Sequence, residues 1–467
     1  MGTLSRCAPL LGFVVTAACL DASTPEGPAR GQVLLHVDTD APVLSQNPQS
    51  SAFAVPIPLF DRIRFDVLPP AGETCSACSQ DFAVTSEKFT TGAVSIGVPL
   101  PPGDAGWQTR VRLYPVRLEQ PSGDPDPAAV IDVTVALPSI APTGVVDVTV
   151  FLSTDTAGQP RGQDTPEVPA AGPPGPSAVG TWADAVRTGC SGQVPAGMVC
   201  VPGGAFWMGA PRDHAVPNTD PGWHRLVVVS PFFLDQTEVT VAAWRAVDAT
   251  DPGVSGWSGG STGSALEDWC TAGATAGPRE ALPLNCITAL GARHYCQRRG
   301  GDLPTEAEFE YVIGGLGMTP YPWGTEIPQC ADAVWGRNGV GVTLHFVPQA
   351  CLKDSQALAT LGGPEKPGWG KRDAIALPGG TIVDLAGNIG EWARDRFQLT
   401  SEPCWSPLGL LHDPSCADVS PSLGSTNVYR GGAWTYGGTS LEASSRSPIA
   451  LGIADVDIGM RCMKPGT

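Results

Sequence analysis

The sequence predicts two folded units of different class: an all-β sandwich, then a loop-rich α+β domain. Three observations carry that expectation. The chain has 467 residues, too many for one ordinary domain. Period-two alternation of apolar residues fills its first third and then stops. Its 57 glycines and 47 prolines favour short strands and structured loops over helical bundles.

Taken in order, residues 1–18 read as an export signal. Arg6 places a positive charge ahead of the apolar stretch Ala8 to Ala18, which is too short to span a bilayer and ends in small residues. Val15-Thr16-Ala17-Ala18-Cys19 resembles a lipobox, with Thr16 where Leu is usual and Cys19 as the lipidated residue of the mature chain. Cleavage without lipid is the alternative. Myristoylation at Gly2 is set aside, because Arg6 stands where that motif requires Ser or Thr. Of 14 cysteines, Cys7 leaves with the signal and Cys19 takes the lipid, and the even number remaining suits disulfides in an oxidising compartment. The net charge of −18 is spread along the chain. Such an acidic surface repels nucleic acid and anionic lipid, which excludes DNA and RNA partners. The expected location is extracytoplasmic, either on the bacterial cell envelope, held to the membrane through the lipid alone, or secreted.

Residues 19–31 form a polar tether, and 32–155 are the sandwich. Val33, Leu35 and Val37 alternate, as do Ile63, Phe65 and Val67, then Val94, Ile96 and Val98. Ile131 to Leu137 and Val146 to Leu152 repeat the pattern, which gives six or seven antiparallel strands. Pro115 points to an edge strand or bulge. Cys75 and Cys78 lie in a loop. No second ligand pair follows to make a zinc site, so a structural disulfide is expected. Residues 156–189 are rich in Pro and Gly and read as an extended, hydrated linker.

The second domain occupies 190–467. Thr288 to Arg299 reads as a helix stopped by Gly300-Gly301. Another helix opens at Thr305, where Thr305-x-x-Glu308 is a capping box with Phe309 and Val312 facing inward. The remainder is rich in Trp and Gly. Trp323, Trp392 and Trp434 are expected in the core, and Glu306, Glu308 and Glu310 in capping and solvated-face roles.

Five blocks in this domain resemble, in order, the formylglycine-generating (sulfatase-modifying factor) superfamily. They are Met198 to Gly209; Phe232 to Thr240; Tyr295-Cys296 with Leu303-Pro304-Thr305-Glu306 and Tyr321 to Gly324; Asp384 to Trp392; and Tyr429 to Trp434 with Ile458 to Cys462. The resemblance starts at Cys190 and implies a C-type-lectin-like mixed fold with little regular secondary structure.

Catalytic members of that superfamily place two cysteines shortly after the fifth block, where thiolates bind copper(I). Here the matching stretch, Trp434 to Arg446, holds no cysteine. No copper is therefore expected and no catalytic residue is assigned. Iron-dependent relatives use histidines, but His36, His214, His224, His294, His345 and His412 form no close ligand pair. The resemblance does imply a structural calcium held by the Asp384 and Glu391 side chains and the Gly387 and Ile389 carbonyls. Hard oxygen donors from a tight loop suit that ion. It also implies a Cys296–Cys462 disulfide. Proximity in sequence suggests Cys190–Cys200, Cys270–Cys286, Cys330–Cys351, Cys404–Cys416 and Cys75–Cys78, without fixing them. The expected function is a binding or scaffold module for a surface ligand or protein. A cysteine-independent or iron-dependent oxidase is the alternative.

Overall fold

The computed structural model describes residues 31–46, 56–70, 78–101, 103, 105–159, 165–209, 224–248, 269–273, 275–337, 351, 363–417, 426–450 and 452–466. The signal, the tether, Cys19 and Cys75 lie outside the described residues. Most elements are short strands, with few helices. The chain divides into two compact units, one ending at Ala185 and one running on from Val186.

The first unit contains β1 (Gln32–Thr39), β2 (Arg62–Leu68), β3 (Ser79–Ala83), α1 (Ser86–Thr90), β4 (Ser95–Pro99), β5 (Gln108–Tyr114), β6 (Ile131–Ala136), β7 (Val145–Leu152) and β8 (Ala170–Ala171). They form two four-stranded sheets, β4-β1-β7-β8 and β3-β2-β5-β6. The alternation works as the pleat requires. Ile63, Phe65, Val111, Leu113, Val133 and Val135 are buried. Their neighbours on the opposite face pair as ions, Arg112 with Asp66 at 2.5 Å and Arg110 with Asp132.

Three expectations change here. The unit is not wholly antiparallel, because β1 and β7 pair in parallel from Gln32↔Val145 to Thr39↔Leu152. These strands lie at the two ends of the unit's sequence, so no tight turn constrains their direction. Pro115 does not mark an edge: β5 lies between β2 and β6, and Pro115 ends it by opening a 3-10 turn at Val116–Leu118. The third change concerns the segment read as a hydrated linker. Its described part up to Ala185 instead belongs to the first unit, and Val186 onward to the second. β8 pairs with β7, Glu167 exchanges backbone hydrogen bonds with Thr134 and Ala136, and Trp182 and Ala185 are buried. The indole Nε1 of Trp182 donates to Asp155 at 2.9 Å. One buried aromatic outweighs the Pro-rich composition around it.

The second unit contains β9 (Met198–Val201), β10 (Gly204–Met208), β11 (Arg225–Val229), β12 (Phe232–Asp235), α2 (Val241–Asp248), α3 (Ala289–Arg298) and α4 (Glu306–Ile313). β13 (Ala374–Leu377), β14 (Gly380–Val383), β15 (Gly390–Arg396), β16 (Leu411–His412), β17 (Thr426–Arg430), β18 (Ser447–Ala450), β19 (Ile458–Gly459) and β20 (Met463–Pro465) follow. They make small sheets: β10-β11-β16, β20-β12-β9, β13-β14 and β18-β17-β15-β19.

α3 is capped by the Thr288 side chain, and Gly300 follows at φ 74°. α4 has the expected reciprocal box, Glu308 N on Thr305 Oγ1 and Thr305 N on Glu308 Oε2. Phe309, Tyr311 and Val312 then pack with Phe206, Val227 and Val428. Trp392 and Trp434 are core residues. Glu306 and Glu310 do not face solvent. Arg430 lies 3.0 Å from each, Arg446 forks onto Glu306 at 2.7 and 2.8 Å, and the Glu306, Glu310 and Arg430 side chains are buried, with Arg446 part-buried. Buried charges of this kind persist only when paired.

Candidate functional site

The block from Asp384 to Glu391 is a turn between β14 and β15, and three left-handed residues shape it: Asp384 (φ 52°), Gly387 (φ 125°) and Asn388 (φ 59°). A Cβ at Gly387 would meet the Val334 carbonyl at 2.8 Å, so glycine is required there. Asp373 fastens the near side by accepting from the Leu385 and Ala386 amides at 2.9–3.0 Å. Burial, reinforced by the Asp384 charge, pushes the Asp373 carboxyl up to about 8. Asp384 accepts from the Gly368 amide at 2.5 Å and is pushed up to about 6 by burial.

Asn388 is the hub of the turn. Its amide donates to Val334 O (2.8 Å), its Oδ1 accepts from Glu365 N (2.8 Å) and its carbonyl accepts from Trp434 N (2.9 Å). Glu391 closes the turn against Arg461, whose Nε lies 2.7 and 2.8 Å from the two carboxylate oxygens. The same guanidinium donates to the Asp384 and Val383 carbonyls. Burial raises Glu391, while the Glu391 charge holds Arg461 firmly protonated despite its own burial.

The four residues expected to hold calcium lie along this one stretch and offer oxygen donors of the kind a hard cation takes, with both Glu391 carboxylate oxygens engaged by Arg461. The Gly387 and Ile389 carbonyls accept no hydrogen bond from the described residues. Each belongs to a peptide whose N–H is pinned the other way, Asn388 N to Val334 O and Gly390 N to Asp457 O (2.7 Å). Among the described residues no cluster of three or more His, Cys, Asp or Glu side chains is arranged to hold a metal ion.

The second feature follows β17. Gly431 and Gly432 adopt φ 90° and 67°, and a Cβ on either would strike a carbonyl, Leu385 O at 2.8 Å or Ser440 O at 2.7 Å. Trp434 packs against Trp269 with ring centroids 5.2 Å apart and planes tilted by 35°. The Tyr436 and Tyr429 hydroxyls lie 2.5 Å apart. Burial pushes Tyr429 up to about 12 and Tyr436 further. The Thr435 hydroxyl donates to Oδ2 of Asp457, whose other oxygen is buried without a hydrogen-bond partner. Burial and then the Asp455 charge push Asp457 up to about 7.

Cys296 bridges Cys462, tying α3 to the end of the chain across 166 residues. The described cysteines also pair as Cys190–Cys200, Cys270–Cys286, Cys330–Cys351 and Cys404–Cys416. Cys78 is disulfide-bonded as well. Such a set belongs to an oxidising compartment. No described helix is long and apolar enough to cross a membrane.

Sequence reasoning gave no role to Glu238 and Arg461, which lie inside the family-like blocks, or to Asp457 just before the last of them. For Arg461 the signal was present, a charged residue inside the otherwise apolar run Ile458 to Met463.

The family described as sulfatase-modifying factor enzyme 1-like domain matches residues 185–465. The chain is 28% identical over 272 residues to the formylglycine-generating enzyme of Thermomonospora curvata, covering 52% of this chain and 84% of that protein. It is 28% identical over 253 residues to the inactive C-alpha-formylglycine-generating enzyme 2 of Bos taurus, covering 44% and 72%. Among solved structures, PvdO from Pseudomonas aeruginosa aligns with a TM-score of 0.39 at 20% identity, over 57% of this chain and 94% of that one. Through residues 185–465, this chain belongs to the sulfatase-modifying factor enzyme 1-like family.

Proposed function

We propose that the protein is an exported binding or scaffold module, lipidated at Cys19, in which a formylglycine-generating-like domain works without the copper-binding cysteine pair. One observation carries this reading. All ten cysteines from Cys190 onward are committed to five disulfides, and Trp434 to Arg446 contains none. A copper(I) centre needs free thiolates, and this stretch instead carries Tyr436, whose hydroxyl meets that of Tyr429 from β17. The similarity to mammalian relatives named as inactive is in keeping with it.

In this reading the two sheets of the first unit close as a sandwich over 32–155. The second domain has the C-type-lectin-like fold and binds a surface ligand or a protein partner. Calcium, held by Asp384, Glu391 and the Gly387 and Ile389 carbonyls, stabilises that domain by adding positive charge to a turn rich in buried carboxylates.

The alternative is a cysteine-independent or iron-dependent oxidase, and Asp455 and Asp457 beside Tyr436 favour it. Metal analysis of the purified full chain separates the two. The binding module is expected to carry calcium and no copper or iron. Stoichiometric redox metal that survives dialysis would overturn it in favour of the oxidase.

A further inference from the structure

One side chain fastens the Asp384–Glu391 turn from behind and has no assigned role. Glu238, in the segment between β12 and α2, is 1% exposed. Its Oε2 accepts from Nδ2 of Asn388 at 3.1 Å, and its Oε1 accepts from the Ile389 amide at 3.4 Å.

That second bond completes a pattern in the backbone. The peptide joining Asn388 to Ile389 is held at both ends, its carbonyl by Trp434 N and its N–H by Glu238. The flanking peptides have their N–H groups pinned to Val334 O and Asp457 O. Three consecutive peptides are thereby fixed, and the two carbonyls left over are those of Gly387 and Ile389. Without Glu238 the central peptide keeps one anchor, and either neighbouring carbonyl can swing.

We propose that Glu238 is the positioning residue of a divalent-cation site at this turn: it pins the Asn388–Ile389 peptide so that the Gly387 and Ile389 carbonyls face the ion. The proposal rests on the calcium reading above. Its novelty is the assignment to Glu238, which lies about 150 residues before the turn it controls.

The test is calcium titration of the chelator-stripped full chain by calorimetry, beside melting curves with and without calcium. Glu238→Gln keeps one acceptor oxygen for two donors, and is expected to bind calcium about 10–100-fold more weakly, the range typical of outer-shell partners. Its calcium-free melting temperature should match that of wild type. Glu238→Asp keeps both oxygens but draws them back from the Ile389 amide, and should lose affinity several-fold.

Wild-type affinity in a folded Glu238→Gln or Glu238→Asp protein would overturn the assignment. So would a calcium-free melting loss as large as the calcium-loaded loss, which marks a merely structural residue. A wild-type chain that does not bind calcium would sink the calcium reading itself, and this proposal with it.

Discussion

Replacing both Cys296 and Cys462 with alanine removes the bridge that ties α3 to the end of the chain, and its cost follows from the loop it closes. The two residues are separated by 166 positions. In the loop-entropy description the bridge destabilises the unfolded chain by about 5 kcal/mol. The Cys330–Cys351 and Cys404–Cys416 bridges nest inside this loop and shorten it. Because the dependence is logarithmic, that correction is only about 0.2 kcal/mol. Both side chains are fully buried, so alanine adds a small transfer and cavity cost and no unsatisfied hydroxyl. For a domain of this size 1 kcal/mol corresponds to about 2 °C, so the melting temperature should fall by roughly 10 °C. Differential scanning calorimetry of the double variant reads this directly. A fall of less than about 3 °C would refute the entropic reasoning, and free thiols at these positions in wild type would refute the pairing.

Three further outcomes are expected. Glu306→Ala leaves the Arg430 and Arg446 guanidinium groups buried without the carboxylate they share, and should cost about 3–5 kcal/mol in a denaturant titration; a loss under about 1 kcal/mol would contradict the network's importance. Burial, then the Glu306 charge, pushes the Asp395 carboxyl up to about 6. The folded state therefore holds that proton more tightly than the unfolded chain, and its contribution to stability is present below about pH 4 and lost as pH rises through about 6. Asp395→Asn should flatten this decline, worth at most about 3 kcal/mol, in melting curves across that window; an unchanged pH profile would count against it. Finally, a chelator should lower the wild-type melting temperature and leave Asp384→Ala unmoved, because an ion bound only by the native state stabilises it by mass action. Equal chelator response in both proteins would remove Asp384 from the site.

What the sequence reveals about this fold depends on how far apart the interacting residues lie. The capping box at Thr305 and Glu308 is complete within four residues, and α4 starts where it says. The strands β2, β5 and β6 likewise announce themselves through alternation, since each buried face is written in consecutive residues. Reading fails where partners are distant. Glu306 looks like a first-turn acidic residue until Arg430 and Arg446 arrive more than 120 positions later. Glu238 and Asn388, or Glu391 and Arg461, meet only after the chain has folded. The Pro-rich segment up to Ala185 misleads differently: its composition is that of a hydrated linker, yet Ala157, Trp182 and Ala185 give it something to bury. The Cys296–Cys462 bridge is legible through family resemblance rather than local pattern.

The central claim is that this domain keeps the family fold while Trp434 to Arg446 has lost the thiols its chemistry needs. Its most direct test incubates the purified chain, supplied with copper and a reductant, with a peptide carrying the sulfatase cysteine motif, and reads the product by mass spectrometry. The account predicts no conversion of cysteine to aldehyde above a protein-free control. Formylglycine accumulating with enzyme concentration would contradict it.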